Sequence, residues 1–409
     1  MPLDRLNAAL ARHVATLEEN GTAKGAETVV TAVLPAEGER GPRFRLEGEG
    51  EREFIRMNSN SYLGMSLVAA VVNAEEESTA LWGAGPGAVR FISGTYAPHV
   101  ALEHRLAAFH GRDAAMIFSS AYAAVLSTIV PLTDERTVLI SDELNHNCII
   151  NAMRLARPAH KAVYPHNDVG GLQHALEEAS GRGERAIVVT DGIFSMRGDH
   201  APLAEIAELC RRYDERFAEN VVLVVDDSHG VGAFGRTGRG TEEYTGARCD
   251  ILVGTLGKAF GVNGGYATSD AEVVRFLRET SPMYIYSNPI TVGEAAAALK
   301  SIDLLDSAGG RERLKRLRAL TQRFEQGLVD ADLETIPGEH PVVPLMVRDT
   351  NRTRALIRHL RAHGVLATGL TYPVVPRGDE EIRFQVNADH TESDVDYVIG
   401  VLRDFGSEG

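Results

Sequence analysis

Two textures of hydrophobicity divide the chain. From Met1 to about Lys24, apolar Leu6, Leu10, Val14 and Leu17 recur at helical spacing among polar residues, which predicts an amphipathic helix. The stretch from Pro35 to Glu53, PAEGERGPRFRLEGEGERE, is rich in glycine and charge and reads as a surface hairpin or loop. Beyond it the pattern changes. Short runs that are apolar throughout (AAMIFSS, TVLISDE, AIVVTDG, VVLVVDDSHG and DILVGTLGK) alternate with longer helical patterns. A strand without polar alternation has both faces buried, and intervening helices supply the covering layers. The pattern therefore predicts an α/β fold around a mainly parallel sheet. After Ser287-Asn288-Pro289 an Ala-rich helix, TVGEAAAALKSIDLL, leads to a break at Gly309-Gly310 and on to further helices and strands. The expected organisation is an N-terminal arm over 1–55, a large domain over 56–290 and a smaller α+β domain over 291–409.

Composition removes whole classes of function. The 409 residues carry a formal charge of −15, with no long Lys/Arg run, which argues against a nucleic-acid or anionic-membrane surface. Cys148, Cys210 and Cys249 are isolated from one another and make no CxxC pair or disulfide framework. The first residues lack an apolar signal core, and no run approaches the ~18 apolar residues of a membrane span. A cytoplasmic protein is expected. The fourteen histidines show no metal-ligand spacing, so no metal is expected. GAGPG at 83–87 follows no clear strand, and neither GxxxxGK[ST] nor HExxH occurs. Asp226-Asp227-Ser228-His229 is no hydrolase triad, because adjacent residues at a strand end cannot adopt that geometry.

Ligands of open α/β sheets bind off the carboxyl ends of the strands. The inferred strands end in Ser119-Ser120, Asp142, Asp191, Asp226 to His229, and Thr255, which parallel strands would bring to one rim. Lys258 follows an apolar strand among small residues, a setting that lowers an amine's pKa and suits it to bond an aldehyde. Asp226 supplies the carboxylate that keeps a pyridine nitrogen protonated. An Asp226–Lys258 ion pair bracing the sheet would explain the same two residues. Ser119 and Ser120 before a helical run could present the N–H groups of Ala121 and Tyr122 to a phosphate, or Ser120 could simply cap that helix. Taken together, an amine, a carboxylate, a phosphate cradle and the hydroxyl of Thr255 point to pyridoxal 5′-phosphate.

These features stand within longer motifs: NSNSYLGM, VRFISGT, SDELNHNCIINAMRL, VTDGIFSMRGDHAPL, VVDDSHGVGAFGRTGRG, GTLGKAFG and IRFQVNADHT. In this order, from about Asn58 to the C-terminus, they resemble the α-oxoamine synthases, fold-type I pyridoxal-phosphate-dependent acyltransferases. VRFISGT and YIYSNP are most similar to the glycine C-acetyltransferase branch, whereas DHAPLAEI is as similar to the aminooxononanoate synthase branch. The resemblance implies a large domain with a seven-stranded sheet. It implies that Lys258 holds the cofactor covalently, Asp226 binds the ring nitrogen and His229 the phenolic oxygen, with Ser195 nearby. His146 would lie over the ring, while Ala121, Tyr122 and Thr255 hold the phosphate. Arg383 would clamp the amino-acid carboxylate, assisted by Asn60. Ser287 and Asn288 match a segment lent by a neighbouring subunit, which implies a homodimer.

The reaction implied joins glycine, alanine or serine to an acyl-CoA, acetyl-CoA first, and releases CoA with an α-amino ketone or 2-amino-3-keto acid. A pyridoxal-phosphate aldolase or lyase of the same fold would share Lys258 and Asp226 without using an acyl-CoA. Ala121-Tyr122 in place of a common Cys-Phe pair, Arg197 in place of an acid, and Pro289 depart from the glycine C-acetyltransferase pattern.

Overall fold

A computed structural model describes residues 3–372 and 374–407. The first element is a helix, Asp4–Glu19, with no buried residue; Leu6, Leu10 and Val14 face solvent. Strands β1 (Val30–Leu34) and β2 (Arg43–Leu46) pair antiparallel. The glycine-rich stretch is thus part of a hairpin, but it is not all surface. RFRL alternates at period two and buries Phe44 and Leu46, while its arginines are half-buried and Arg43 pairs with Asp394. A short strand, β3 (Ile55–Arg56), follows.

The centre is one sheet of seven strands: β4 (Ala114–Phe118), β5 (Thr137–Asp142), β6 (His160–Tyr164), β7 (Arg185–Asp191), β8 (Val221–Asp226), β9 (Ile251–Thr255) and β10 (Gly265–Ser269). Their order is β4-β10-β9-β8-β7-β5-β6. All neighbours are parallel except β10, which runs antiparallel to β4 and β9. Five of the strands are the apolar runs of the sequence. Helices Val169–Ala179 and Leu203–Tyr213 cover one face with Leu172 and Ile206. Helices Ala121–Ile129, Asn147–Leu155 and Ala271–Thr280 cover the other with Val125, Ile149 and Val274. Each such buried aliphatic side chain contributes roughly 1.5–3 kcal/mol.

From β5 the chain steps outward to β6, then returns to β7 on the other side of β5. That reversal opens a crevice at the carboxyl ends of the strands, which is where α/β sheets bind ligands.

Beyond the sheet, helix Val292–Leu305 is capped by Thr291 and Glu294 in a reciprocal capping box. Gly309-Gly310 is not the expected break. The chain turns at Asp306-Ser307, and both glycines lie in the first turn of helix Ala308–Val329. A Cβ on Gly310 would fall 2.1 Å from the Leu305 carbonyl, so only glycine allows so tight a junction. The remainder forms β11 (Val342–Met346), β12 (Val365–Leu366), β13 (Thr368–Leu370) and β14 (Glu381–Gln385), with helices Thr350–Ala362 and Glu392–Ser407. An antiparallel sheet runs β11-β14-β13, and β12 pairs parallel with β3. Hydrogen bonds from Gln385 N to Met57 O (2.8 Å) and Ala388 N to Tyr62 O (2.6 Å) lay loop 57–62 along β14. No helix among the described residues is long and apolar enough to cross a membrane.

Candidate active site

The register of β7 and β8 sets Asp191 beside Asp226, both buried at the strand ends. Asp226 Oδ1 accepts from Ser228 N at 3.1 Å and from Ser228 Oγ, and Cys148 Sγ lies 3.6 Å from Oδ2. Asp191 Oδ2 accepts from His146 N at 2.8 Å, and Asp191 N donates to Asn145 Oδ1 at 2.7 Å. Burial first, then the neighbouring Asp226 charge, pushes the Asp191 carboxyl well above the usual aspartate range. Asp191 therefore locks the turn that presents His146.

His146 caps helix Asn147–Leu155. Its Nδ1 accepts from Cys148 N at 3.3 Å and lies 2.9 Å from Cys148 Sγ. A backbone N–H can only donate, so this bond assigns the ring proton of the neutral imidazole to Nε2. Burial lowers its pKa; Asp226 opposes that shift and Lys258 adds to it.

Lys258 sits in the turn after β9, half-buried. Desolvation brings its amine down to about 8, against the opposing pull of Asp226 and Asp191. Asp226 acts on it through space only, its own hydrogen bonds being made to Ser228 and Cys148. The sheet-bracing ion pair is therefore not built, and near pH 8 about half of these amines are neutral.

His229 Nδ1 meets the Tyr62 hydroxyl at 2.6 Å, and its carbonyl accepts from His340 Nε2 at 2.9 Å. Burial drives the His229 ring well below its ordinary pKa and His340 down to about 3. Tyr62 OH also reaches Asn60 Oδ1 at 3.3 Å, and Arg383 donates to the same oxygen at 2.9 Å. Arg383 is the half-buried residue of β14 between buried Ile382 and Phe384. A polar chain thus runs from Arg383 through Asn60 and Tyr62 to His229.

Ser120 does cap helix Ala121–Ile129, accepting from Ala123 N at 3.1 Å. The N–H groups of Ala121 and Tyr122 nevertheless have no intrahelical acceptor and can hold an anion. A Cβ on Gly265 would sit 2.3 Å from Ala121 N, so glycine lets β10 approach this helix end. Thr255 Oγ1 donates to Gly264 O at 3.2 Å and accepts from Gly257 N at 3.1 Å, tying the turn that carries Lys258.

One cavity gathers Ala121, Tyr122, His146, Ser195, Asp226, His229 and Lys258, and adds Cys148, Asp191 and Ser228. Thr255, Asn60 and Arg383 stand outside its lining. Ser287 and Asn288 are not brought to it, and Asn288 is exposed. An amine with a free pair of electrons, a carboxylate and an unfilled helix N-terminus around one cavity fit an aromatic aldehyde that carries a phosphate. Sequence reasoning left Tyr62, Asp191, Cys148, Ser228 and His340 without roles. Tyr62 lies inside NSNSYLGM, and Asp191 ends a strand as Asp226 does, so both left a signal. His340, in the loop before β11, left none.

The chain belongs to the class I and II aminotransferase family, which it matches over residues 52–402. It is a fold-type I pyridoxal-phosphate-dependent transferase, and within that class it groups with the α-oxoamine synthases. It is 36% identical over 359 residues to an 8-amino-7-oxononanoate synthase of Thermosipho melanesiensis, covering 87% of this chain and 89% of that one. The match to the enzyme of that name from Geobacter sulfurreducens is 36% over 401 residues, 98% of each chain. Among solved structures, a Sphingomonas wittichii serine palmitoyltransferase superposes with a TM-score of 0.88 at 26% identity, covering 100% of this chain and 98% of that one. The seven-stranded expectation agrees with this fold. The resemblance to α-oxoamine synthases is upheld, while both sequence relatives named here are aminooxononanoate synthases rather than glycine C-acetyltransferases.

One cluster beside the cavity carries a pH signature. His166 Nδ1 lies 3.2 Å from Asp142 Oδ1 and Nε2 lies 2.9 Å from Asp199 Oδ2, with the ring edge-on to Phe194 at 4.3 Å. Asp199 belongs to the loop that carries Ser195. Despite desolvation, the two carboxylates raise His166 to about 9. A histidine raised on folding contributes stability that is fully present below its unfolded pKa near 6.5. That contribution is lost as pH rises through about 9. Denaturant titrations should show a loss on the order of 2–3 kcal/mol between pH 6.5 and 9.5 that His166→Gln lacks. An equal slope in the variant would contradict the assignment.

Proposed function

We propose that the chain joins a small amino acid to an acyl thioester, releasing the thiol. The observation that carries this reading is Lys258, an amine held near pKa 8 and free of any ion pair, in one cavity with Asp226 and an open helix N-terminus. Bound pyridoxal phosphate supplies the electron sink that a broken Cα–H bond requires. The residues supply the rest. The N–H groups of Ala121 and Tyr122 hold the phosphate, and the hydroxyl of Thr255 joins them by releasing Gly264 O. Asp226 keeps a proton on the ring nitrogen, and His229, fixed by Tyr62, hydrogen-bonds the ring oxygen. Arg383 orients the amino-acid carboxylate through its fork, steadied by Asn60. Lys258 Nζ removes the Cα proton as general base, and His146 offers Nε2–H within the cavity.

The relatives' name bears on the substrate. In 8-amino-7-oxononanoate the terminal CH3–CH(NH2)– unit is what alanine leaves after decarboxylation, and the remaining acyl part is longer than acetyl. Alanine and a longer acyl thioester therefore rank above glycine and acetyl-CoA for this chain. A homodimer with shared sites suits the surface: Phe91 and Ile92 in VRFISGT and Tyr286 beside Ser287 are all exposed.

A thiol-release assay across glycine, alanine and serine against acetyl- and longer acyl-CoAs tests the reading, with product mass reporting carbon dioxide loss. Thiol release is expected only with both substrates present. Amino-acid cleavage without thiol release would instead mark an aldolase or lyase.

A further inference from the structure

A second cavity lies between the N-terminal hairpin and the loop that carries Asn60. It shares no lining residue with the cavity at Lys258. Along the loop the side chains diverge: Asn60 and Tyr62 turn to Arg383 and His229, whereas Ser59 and Ser61 line the second cavity. Arg56, the last residue of β3, forms its wall with them. Its guanidinium lies 5.0 Å over the Phe44 ring and donates to Ser59 Oγ at 2.9 Å, and Ser59 Oγ is bonded in turn to Ser61 Oγ.

Arg56 is half-buried, and its only shift comes from desolvation, with no carboxylate offsetting it. Asp389, the one acid in the wall, is taken up by Arg313 at 2.6 Å. Partly withdrawing a cation from water without a counter-charge is unfavourable, and one hydrogen bond leaves most of a guanidinium's five donors uncommitted. The apolar part of the lining is Phe44, on which the Arg56 guanidinium stacks, with Val33 and Leu67.

We infer that this cavity is a binding site, separate from the catalytic one, for a small amphipathic anion: a carboxylate or phosphate head on Arg56, Ser59 and Ser61, and a short alkyl body against Val33, Phe44 and Leu67.

Calorimetric titration of the holoenzyme with hexyl phosphate, hexanoate and hexanol tests this, the cofactor's own phosphate blocking the helix N-terminus. Either anion should bind saturably, at least about tenfold tighter than hexanol, and the tighter of the two identifies the head group. Arg56→Met should weaken anion binding by about tenfold or more, with cofactor absorbance and thiol release unchanged. Should that variant fold poorly, the double variant Ser59→Ala, Ser61→Ala should weaken binding in the same direction. Arg383→Ala should leave the affinity intact, since that residue belongs to the other site. Equal affinity in wild type and Arg56→Met, affinity lost with Arg383, or no saturation by about 10 mM would overturn the inference.

Discussion

Replacing Lys258 with alanine is expected to cut turnover by at least about 10⁴-fold while leaving the fold intact, because two functions leave with one amine. The first is covalent: no other amine lines the cavity. The second is proton transfer, for which an amine with pKa about 8 is matched to neutral or mildly alkaline conditions. The fold should survive because Lys258 makes no ion pair whose partner would be stranded, and truncation removes a desolvated cation from the site. Borohydride treatment of the wild-type holoenzyme should fix cofactor mass on the peptide containing residue 258, and the variant should show none. The melting temperature should be unchanged or slightly higher. Near-normal turnover in Lys258→Ala, or reduction that fixes cofactor mass on a different peptide, would remove the basis of the proposed function.

The legible parts of this protein are those where a single physical demand acts on neighbouring residues. β8 and β9 are apolar because both faces are covered, and burial of that kind writes itself into five or six consecutive positions. β10, GYATS, carries no such run although every residue in it is buried. Gly265 must be small where the strand meets Ala121, and Thr268 and Ser269 are polar, so no apolar run forms. β6, HKAVY, lies at the sheet edge with alternating exposure, and five residues of alternation fall below what a short window can separate from a loop. Lys258 and Asp226 stood out because a charge directly after an apolar strand needs a reason. Tyr62 and His340 reach His229 from 167 and 111 residues away. No local pattern encodes such a contact, and only the packing of loop 57–62 along β14 creates the first of them. The Gly309-Gly310 reading failed for a related reason. Glycine there serves a close approach to Leu305 rather than a chain break, and a sequence cannot tell the two uses apart.

The same contrast between local and distant support makes Asp226→Asn the more discriminating substitution. Asn and Asp are nearly isosteric, and the oxygen that accepts from Ser228 N and Oγ is present in both. The strand end should therefore keep its geometry, and the variant should still bind the cofactor in full stoichiometry. What it lacks is a negative charge at the other oxygen, the one facing Cys148 Sγ. A pyridine nitrogen facing an amide has no anion to stabilise its proton, and an unprotonated ring is a poor sink for the electrons released at Cα. We expect catalysis to fall by about 10³-fold or more, equivalent to at least about 4 kcal/mol of transition-state stabilisation. The loss should appear in kcat rather than in the KM for the amino acid, whose carboxylate the proposed function assigns to Arg383 and Asn60, away from this strand end. Buried Asp191 beside it cannot substitute, because burial pushes its carboxyl well above the usual aspartate range and its Oδ2 is committed to His146 N. Steady-state kinetics alongside cofactor absorbance would separate the outcomes. Full cofactor content with a wild-type rate would refute the role of Asp226, and a rate that recovered on supplying excess cofactor would reassign it to binding.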